Sequence, residues 1–224
     1  HFIQRVKRFS VEFEYAGKRL WAHSNNSGSM LSLLRPGVPV LVSPAPGKKR
    51  KLHYTLEMVK PDLEWIGVNT TTPNRLLKKA FEAQLLPWAA GYTHFAAEVQ
   101  RGQSRFDARF SANGLPDLWV ECKNVTLVED ETAAFPDAES KRAQKHLVEM
   151  IELVQTGQRA AFFYCVQRTD GRCFAPADYI DAAYSKLFYQ SLKCGVEAYP
   201  HVCEASPAGS KFGAILPLRQ ELLD

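Results

Sequence analysis

The sequence is poor in cysteine, and its cysteines form no recognisable pattern. Cys122, Cys165, Cys173, Cys194 and Cys203 are an odd five with no CxxC among them. That excludes a disulfide framework and a zinc knuckle and leaves buried thiols as their expected role. No apolar run approaches the roughly 18 residues of a membrane span, so no membrane is expected as a partner. Phe2 to Phe13 carries charges throughout and lacks the apolar centre of a signal peptide; the expected location is the cytoplasm. There is no internal repeat, no low-complexity tract and no GxxxxGK[ST] loop, which sets aside solenoids, disordered chains and P-loop enzymes. What is present is 224 residues, 46% apolar and 23% charged. That is an ordinary globular composition with room for one large or two small domains.

The formal charge of +4 hides an asymmetry. Up to Lys60 there are 11 Lys/Arg against 3 Asp/Glu; from Pro61 onward there are 17 against 21. A basic front suits a polyanion, because neutralising phosphates releases counterions. The expected partner is nucleic acid, against the plainer reading that a basic surface serves only solubility.

The basic front reads as short strands. Phe9, Val11, Phe13 and Tyr15 alternate with polar residues, Ala16-Gly17-Lys18 turns the chain, and Leu20 to His23 returns. Leu31 to Leu34 suits one helical turn, and Val38 to Val42, Leu52 to Val59 and Trp65 to Asn69 complete five strands. An OB-like barrel over residues 1–70 fits that count. Thr70-Thr71-Thr72-Pro73-Asn74 marks the boundary and offers a helix entry. Residues 71–224 then read as an α/β domain. Its helices are expected over Asn74–Leu86, Asp137–Thr156 and Asp178–Leu192. Its strands are expected over His94–Val99, Ser104–Ala112, Leu118–Lys123, Arg159–Val166, Val196–Cys203 and Phe212–Leu218. The unbroken apolar run at Arg159–Val166 predicts a strand buried on both faces.

Asp107, a hairpin, and Glu121-Cys122-Lys123 carry the chemistry. Residues two apart on a strand share a face, so Glu121 and Lys123 project together, with Asp107 on the neighbouring strand. Two carboxylates can hold Mg²⁺ or Mn²⁺. The bound ion would lower the pKa of a water and offset charge on phosphate, while a lysine orients that water or neutralises the phosphate. The same residues would also serve as plain ion pairs, Glu121 with Lys123 and Asp107 with Arg105 or Arg109. Glu82 and Glu98 are further candidate metal ligands, and a solvated surface role suits each as well. Gln144 and Lys145 are candidates for orienting phosphate; His146 reads as a structural hydrogen-bonder, since no second His has ligand spacing. In the front, Arg5, Lys7, Arg8, Lys48, Lys49, Arg50 and Lys51 are the candidate phosphate contacts. Phe9 and Tyr54 beside them suit either base stacking or the barrel core, with the core favoured.

The spacing Asp…Glu-X-Lys resembles the PD-(D/E)XK nuclease superfamily. Longer stretches resemble one family in particular. Gln4-Arg5-Val6-Lys7-Arg8-Phe9, Asn26-Ser27-Gly28-Ser29-Met30, Lys49-Arg50-Lys51 and Val68-Asn69-Thr70 come first, followed by Asn74-Arg75-Leu76, Glu98-Val99 and Ser104-Arg105-Phe106-Asp107. Glu121 to Leu127, Phe135-Pro136-Asp137-Ala138 and Gln144-Lys145-His146-Leu147 complete the set. Together they are similar to the SfsA, or sugar fermentation stimulation, proteins over nearly the whole chain. Two departures stand out: Cys122 replaces the usual Val of Glu-Val-Lys, and Ser24-Asn25 replaces a usual Cys-Pro. The resemblance implies an OB-like barrel followed by a restriction-endonuclease-like α/β domain, and DNA binding linked to sugar (maltose) metabolism. Two activities are compatible with it: a metal-dependent nuclease at Asp107, Glu121 and Lys123, or a non-catalytic DNA-binding regulator that keeps the nuclease fold as scaffold.

Overall fold

The computed structural model describes residues 1–30, 32–45 and 50–219. Lys48 and Lys49, two of the candidate phosphate contacts, lie outside the described residues.

Six strands build the N-terminal sheet: β1 (Phe2–Val6), β2 (Ser10–Tyr15), β3 (Lys18–His23), β4 (Val40–Pro44), β5 (Tyr54–Val59) and β6 (Ile66–Gly67). They run in the order β1-β2-β3-β5-β4, with β6 added on β5. Backbone bonds close the sheet on itself. The Phe2 N–H donates to Val38 O and the Gly37 N–H to Phe2 O, both at 2.8 Å. Alternate residues point inward, so Phe2, Val11, Phe13, Ala22, Leu56 and Val59 fill the barrel. The sequence-based expectation missed β1 and placed Phe9 in the core. Phe9 precedes its strand behind a left-handed turn at Lys7 and Arg8 and is exposed. Tyr54 does pack on the core, edge-on to Phe13 at 5.7 Å. Residues 32 and 33 form a turn and no helix.

The C-terminal sheet has the order β15-β14-β12-β9-β8-β7. In chain order these are β7 (His94–Arg101), β8 (Ser104–Ser111), β9 (Leu118–Val125), β12 (Arg159–Val166), β14 (Glu197–Ser206) and β15 (Gly209–Ile215). β12 lies parallel to both β9 and β14. Ala160 to Val166 are all buried, as a doubly covered strand requires. Helix α1 (Thr72–Glu82) covers one face through Leu76, Leu77 and Ala80. Helices α2 (Lys141–Gln155) and α3 (Ala182–Lys193) cover the other through Leu147, Met150, Tyr184 and Phe188. Ser140 caps α2 by accepting from the Ala143 N–H at 3.2 Å. Asp181 caps α3 and also accepts from the Ser140 N–H at 3.0 Å, tying the two helices together. A small sheet of β10 (Leu127–Glu129), β11 (Thr132–Phe135) and β13 (Cys173–Pro176) was not anticipated.

The two sheets meet along a polar seam. Asn124 Nδ2, one residue beyond Lys123, donates to Gly67 O at 3.1 Å, and Gln167 Nε2 donates to Asn124 Oδ1 at 3.0 Å. A Cβ at Gly67 would overlap the Gln167 amide, so a larger residue there would have to displace that side chain from the seam. Ser29 Oγ donates to Asp137 O at 2.7 Å across the same boundary.

Candidate active site

The antiparallel register of β8 and β9 pairs Arg109 with Trp119 and Ala108 with Val120, then stops. Asp107 and Glu121 would be the next pair, and here the strands part. The Asp107 carboxylate takes over from the missing ladder: its Oδ2 accepts the Cys122 N–H at 2.8 Å. Its Oδ1 accepts from Asn74 Nδ2 at 2.7 Å, so the first turn of α1 fixes the second oxygen. Across β7 and β8 the same level is irregular. Glu98, opposite Asp107, has φ of 52° and falls out of regular pairing between Ala97–Ala108 and Val99–Phe106. Phe106 and Val99 pack on the α2 side, whereas Phe110 and Phe95 pack on the α1 side. The hairpin therefore turns over at Asp107, which is how one residue reaches both α1 and β9.

Glu121 and Lys123 share a face as their spacing predicts. Lys123 Nζ donates to Glu121 Oε1 at 3.0 Å and lies 5.7 Å from the centre of the Phe162 ring. His146, from the buried stripe of α2, also donates to Glu121 Oε1 through Nδ1 and sits 3.3 Å from Lys123 Nζ. Since that nitrogen serves Glu121, it is a donor there and has no lone pair for the ammonium. The Lys123 and Glu121 side chains are only 10% and 5% exposed. Glu121 Oε2 is buried with no partner. Burial alone would raise the Glu121 pKa; the Lys123 charge and the His146 hydrogen bond overcome it and hold it at about 2. Asp107 moves the other way, raised first by burial and then by the Glu121 charge, against the pull of its two hydrogen bonds.

The remaining candidates fall in different places. Glu98 stands at the rim, 63% exposed, 3.8 Å from Arg105. Glu82 is exposed beside Lys78, two helical turns from the Asn74 that reaches Asp107. Gln144 is spent on Asp181, donating to its Oδ1 at 2.8 Å. Lys145 contacts Ser104 Oγ at 3.4 Å and Glu149 at 3.2 Å. Arg5 is committed to backbone, donating to Asn26 O (2.7 Å), Gly28 O (2.8 Å), Ser29 O (3.2 Å) and Arg8 O (2.8 Å). Lys7, Arg8, Arg50 and Lys51 are exposed. Two contributors escaped the sequence: Asn74, and the Cys122 N–H that Asp107 accepts. Asn74 followed by Arg75, directly behind a helix-opening Pro, was the available signal.

Family models match both parts of the chain: "SfsA N-terminal OB domain" over residues 3–68 and "Sugar fermentation stimulation protein RE domain" over 71–209. The chain belongs to the SfsA family. Among curated relatives, the sugar fermentation stimulation protein homologue of Maridesulfovibrio salexigens is 52% identical, covering 97% of this chain and 92% of that one. The homologue of Lawsonia intracellularis is 46% identical over 98% of this chain and 94% of that one. The solved structure of Pyrococcus furiosus SfsA in complex with Ca²⁺ superposes with a TM-score of 0.90 at 26% identity, covering 97% and 94% of the two chains. The SfsA fold is thus an OB domain joined to a mixed α/β domain. Among the described residues, no three His, Cys, Asp or Glu side chains are arranged to hold a metal ion, and no helix is long and apolar enough to cross a membrane.

Proposed function

We propose that this SfsA-family protein binds nucleic acid, DNA foremost, and hydrolyses its phosphodiester bonds at Asp107, Glu121 and Lys123 with Mg²⁺ or Mn²⁺. The observation that carries this reading is Glu121 Oε2, a buried carboxylate oxygen with no partner, on the face it shares with Lys123 and close enough to Asp107 to raise its pKa. A buried unpaired anion is costly, and a divalent ion with oxygen ligands relieves that cost for Glu121 and Asp107 together. Glu98 at the rim is a further candidate. The Ca²⁺ complex of the Pyrococcus relative supports a hard-cation site in this fold.

The ion, when bound, supplies a more acidic water and offsets charge on the phosphate. The protein does the rest. Asn74 and the Cys122 N–H hold Asp107 in one orientation. His146 and Lys123 both engage Oε1 of Glu121 and so leave Oε2 free. The Lys123 ammonium, beside the carboxylates, neutralises an incoming phosphate oxygen or orients the attacking water.

One observation favours a second reading. Lys123 is largely buried and already paired with Glu121, as in a site that binds without cutting; the protein would then be a DNA-binding regulator of sugar (maltose) metabolism genes. Incubating single- and double-stranded DNA and RNA with the protein and millimolar Mg²⁺ or Mn²⁺ tests the first reading. Cleavage that disappears in Asp107→Ala supports it. Binding of nucleic acid and metal without cleavage of any substrate overturns it in favour of the regulator.

A further inference from the structure

The outer face of the N-terminal sheet carries aromatic rings that the barrel core does not use. The register of β2 and β3 sets Ser10 beside His23 and Glu12 beside Trp21, on the face opposite Val11, Phe13 and Ala22. Trp21 is 37% exposed and Phe9 is 47% exposed. Phe9 stacks on His23, ring centres 6.1 Å apart and planes within 22°. Large rings ordinarily turn inward, but this one is held outward. Lys7 and Arg8 have φ of 50° and 42°, a left-handed conformation that side chains other than glycine seldom adopt. The Phe9 N–H donates to Lys7 O, and the Arg5 guanidinium locks Arg8 O. Backbone strain of this kind persists only where the surroundings impose it, and it gathers at ligand clamps.

Hydrogen bonds join the edge of this face to the segment that enters the candidate active site. Two residues beyond His23, Asn25 donates to Asn69 Oδ1 at 2.6 Å and accepts the Thr70 N–H at 3.1 Å. Thr70 stands four residues before Asn74, which holds Asp107. The path from His23 runs through two residues to Asn25, crosses one hydrogen bond to Thr70 and reaches Asn74 of α1 four residues later. Cations flank it. Arg50 Nη1 donates to Thr55 Oγ1 at 3.4 Å, and Thr55 pairs with His23. Lys51 is exposed, and Arg75, 60% exposed, lies 3.8 Å from Glu57 and donates to Thr72 Oγ1 at 3.0 Å in the first turn of α1.

We propose that this face seats a single-stranded nucleic acid running towards Asp107 and Glu121, its bases stacked on Phe9 and Trp21 and its phosphates on Arg50, Lys51 and Arg75. The proposal rests on the nucleic-acid reading above and deepens it by naming the substrate class. Exposed rings beside cations fit unpaired bases, whose faces are free to stack; in a duplex those faces are covered by neighbouring pairs.

The test is equilibrium binding of the full chain in EDTA, where no ion-dependent cutting occurs. Fluorescence anisotropy would follow labelled single-stranded DNA, single-stranded RNA and the matching DNA duplex. Wild type should bind at least one single strand more tightly than the duplex. Phe9→Ala with Trp21→Ala should weaken single-strand binding by roughly 30-fold or more, the loss expected for two stacked bases, and change duplex binding far less. Phe9→Leu with Trp21→Leu, which keeps bulk without the rings, should show the same loss and guards against misfolding. Tyr15→Ala, exposed but off this path, should change nothing. Unchanged single-strand affinity in both double variants, equal losses on duplex, or a wild-type preference for duplex would each overturn the proposal. If wild type binds no nucleic acid at all, the nucleic-acid reading fails with it; if wild type binds and the variants match it, only the present inference fails.

Discussion

In the N-terminal barrel Lys7, Arg8, Arg50 and Lys51 are exposed, and the half-buried Arg5 is spent on four backbone carbonyls. In the C-terminal sheet the order is reversed. Glu121, Lys123 and His146 are buried against one another beside a raised Asp107, while the carboxylates on the surface, Glu82 and Glu98, are occupied with neighbouring cations. Exposed charge acts at long range and is weak residue by residue; buried charge acts at contact distance, and each group depends on the others. On the nucleic-acid reading proposed above, the first arrangement suits long-range attraction of a polyanion and the second suits holding a few atoms in fixed positions.

That contrast is sharpest at Lys123. Lys123→Met removes the cation from a buried carboxylate and should destabilise the fold by about 3 kcal/mol or more in urea unfolding; a loss under about 0.5 kcal/mol would mean that His146 alone satisfies Glu121. Next comes the ion. With Mn²⁺ at a hundred times its dissociation constant, wild type should gain about 2.7 kcal/mol, read as a higher melting temperature. Asp107→Ala and Glu121→Ala should lose most of that gain, and an equal gain in all three would move the ion elsewhere. Arg5→Ala blurs the boundary between the two regions, because this cation behaves like a buried one. It should cost about 2 kcal/mol through its charge-assisted bonds to carbonyls, yet leave the salt dependence of nucleic-acid binding unchanged, whereas Lys51→Ala should lower the salt slope by about 1 and leave stability alone.

A smaller effect lies in pH. Asp107 titrates above its ordinary value, so the folded state favours its protonated form. That contribution is full below the unfolded pKa and is lost as pH rises through the folded one. Glu121, held at about 2, works in the opposite sense: its contribution is present above the ordinary carboxylate pKa and lost as pH falls towards 2. Asp107→Asn removes only the first. Without metal it should melt no lower than wild type at neutral pH, with the difference shrinking below about pH 4, where Asp107 is protonated in both folded and unfolded chains. Melting below wild type at pH 7 would show that the Asn74 and Cys122 hydrogen bonds outweigh the burial of charge. Smallest of all, Glu82→Ala should change stability by no more than about 0.5 kcal/mol, as for an exposed helical pair, and leave the metal-dependent gain intact.

Most of the strands and helices, and the shared face of Glu121 and Lys123, were legible beforehand because both rest on local periodicity. The apolar run of β12 fits only a strand covered on both faces, and a two-residue spacing forces Glu121 and Lys123 onto one face. What the sequence did not disclose depends on long-range placement. Glu82 and Asn74 lie on the same helix, and nothing local says which end of that helix reaches Asp107. The pairing of β11 with β13 joins segments of four residues each, about forty positions apart and parallel, which leaves no hairpin signal. Phe9 has the parity of Val11 and Phe13, so alternation assigns it inward; the left-handed turn at Lys7 and Arg8 breaks the phase. A run of basic residues likewise cannot say that Arg5 alone will find four carbonyls.

The seam at Gly67 bears on how the chain can be divided. The family models part it between residues 68 and 71, yet Asn25 holds Asn69 and Thr70 from one side, and Asn124 holds Gly67 from the other. A cut there would release the clasp on the segment that delivers Asn74 to Asp107 and would expose the Gln167 amide packed over Gly67. The halves match separate family models, yet only Val68 to Thr71 lie between β6 and α1, so the barrel is tied through four residues to the helix whose Asn74 holds the Asp107 carboxylate.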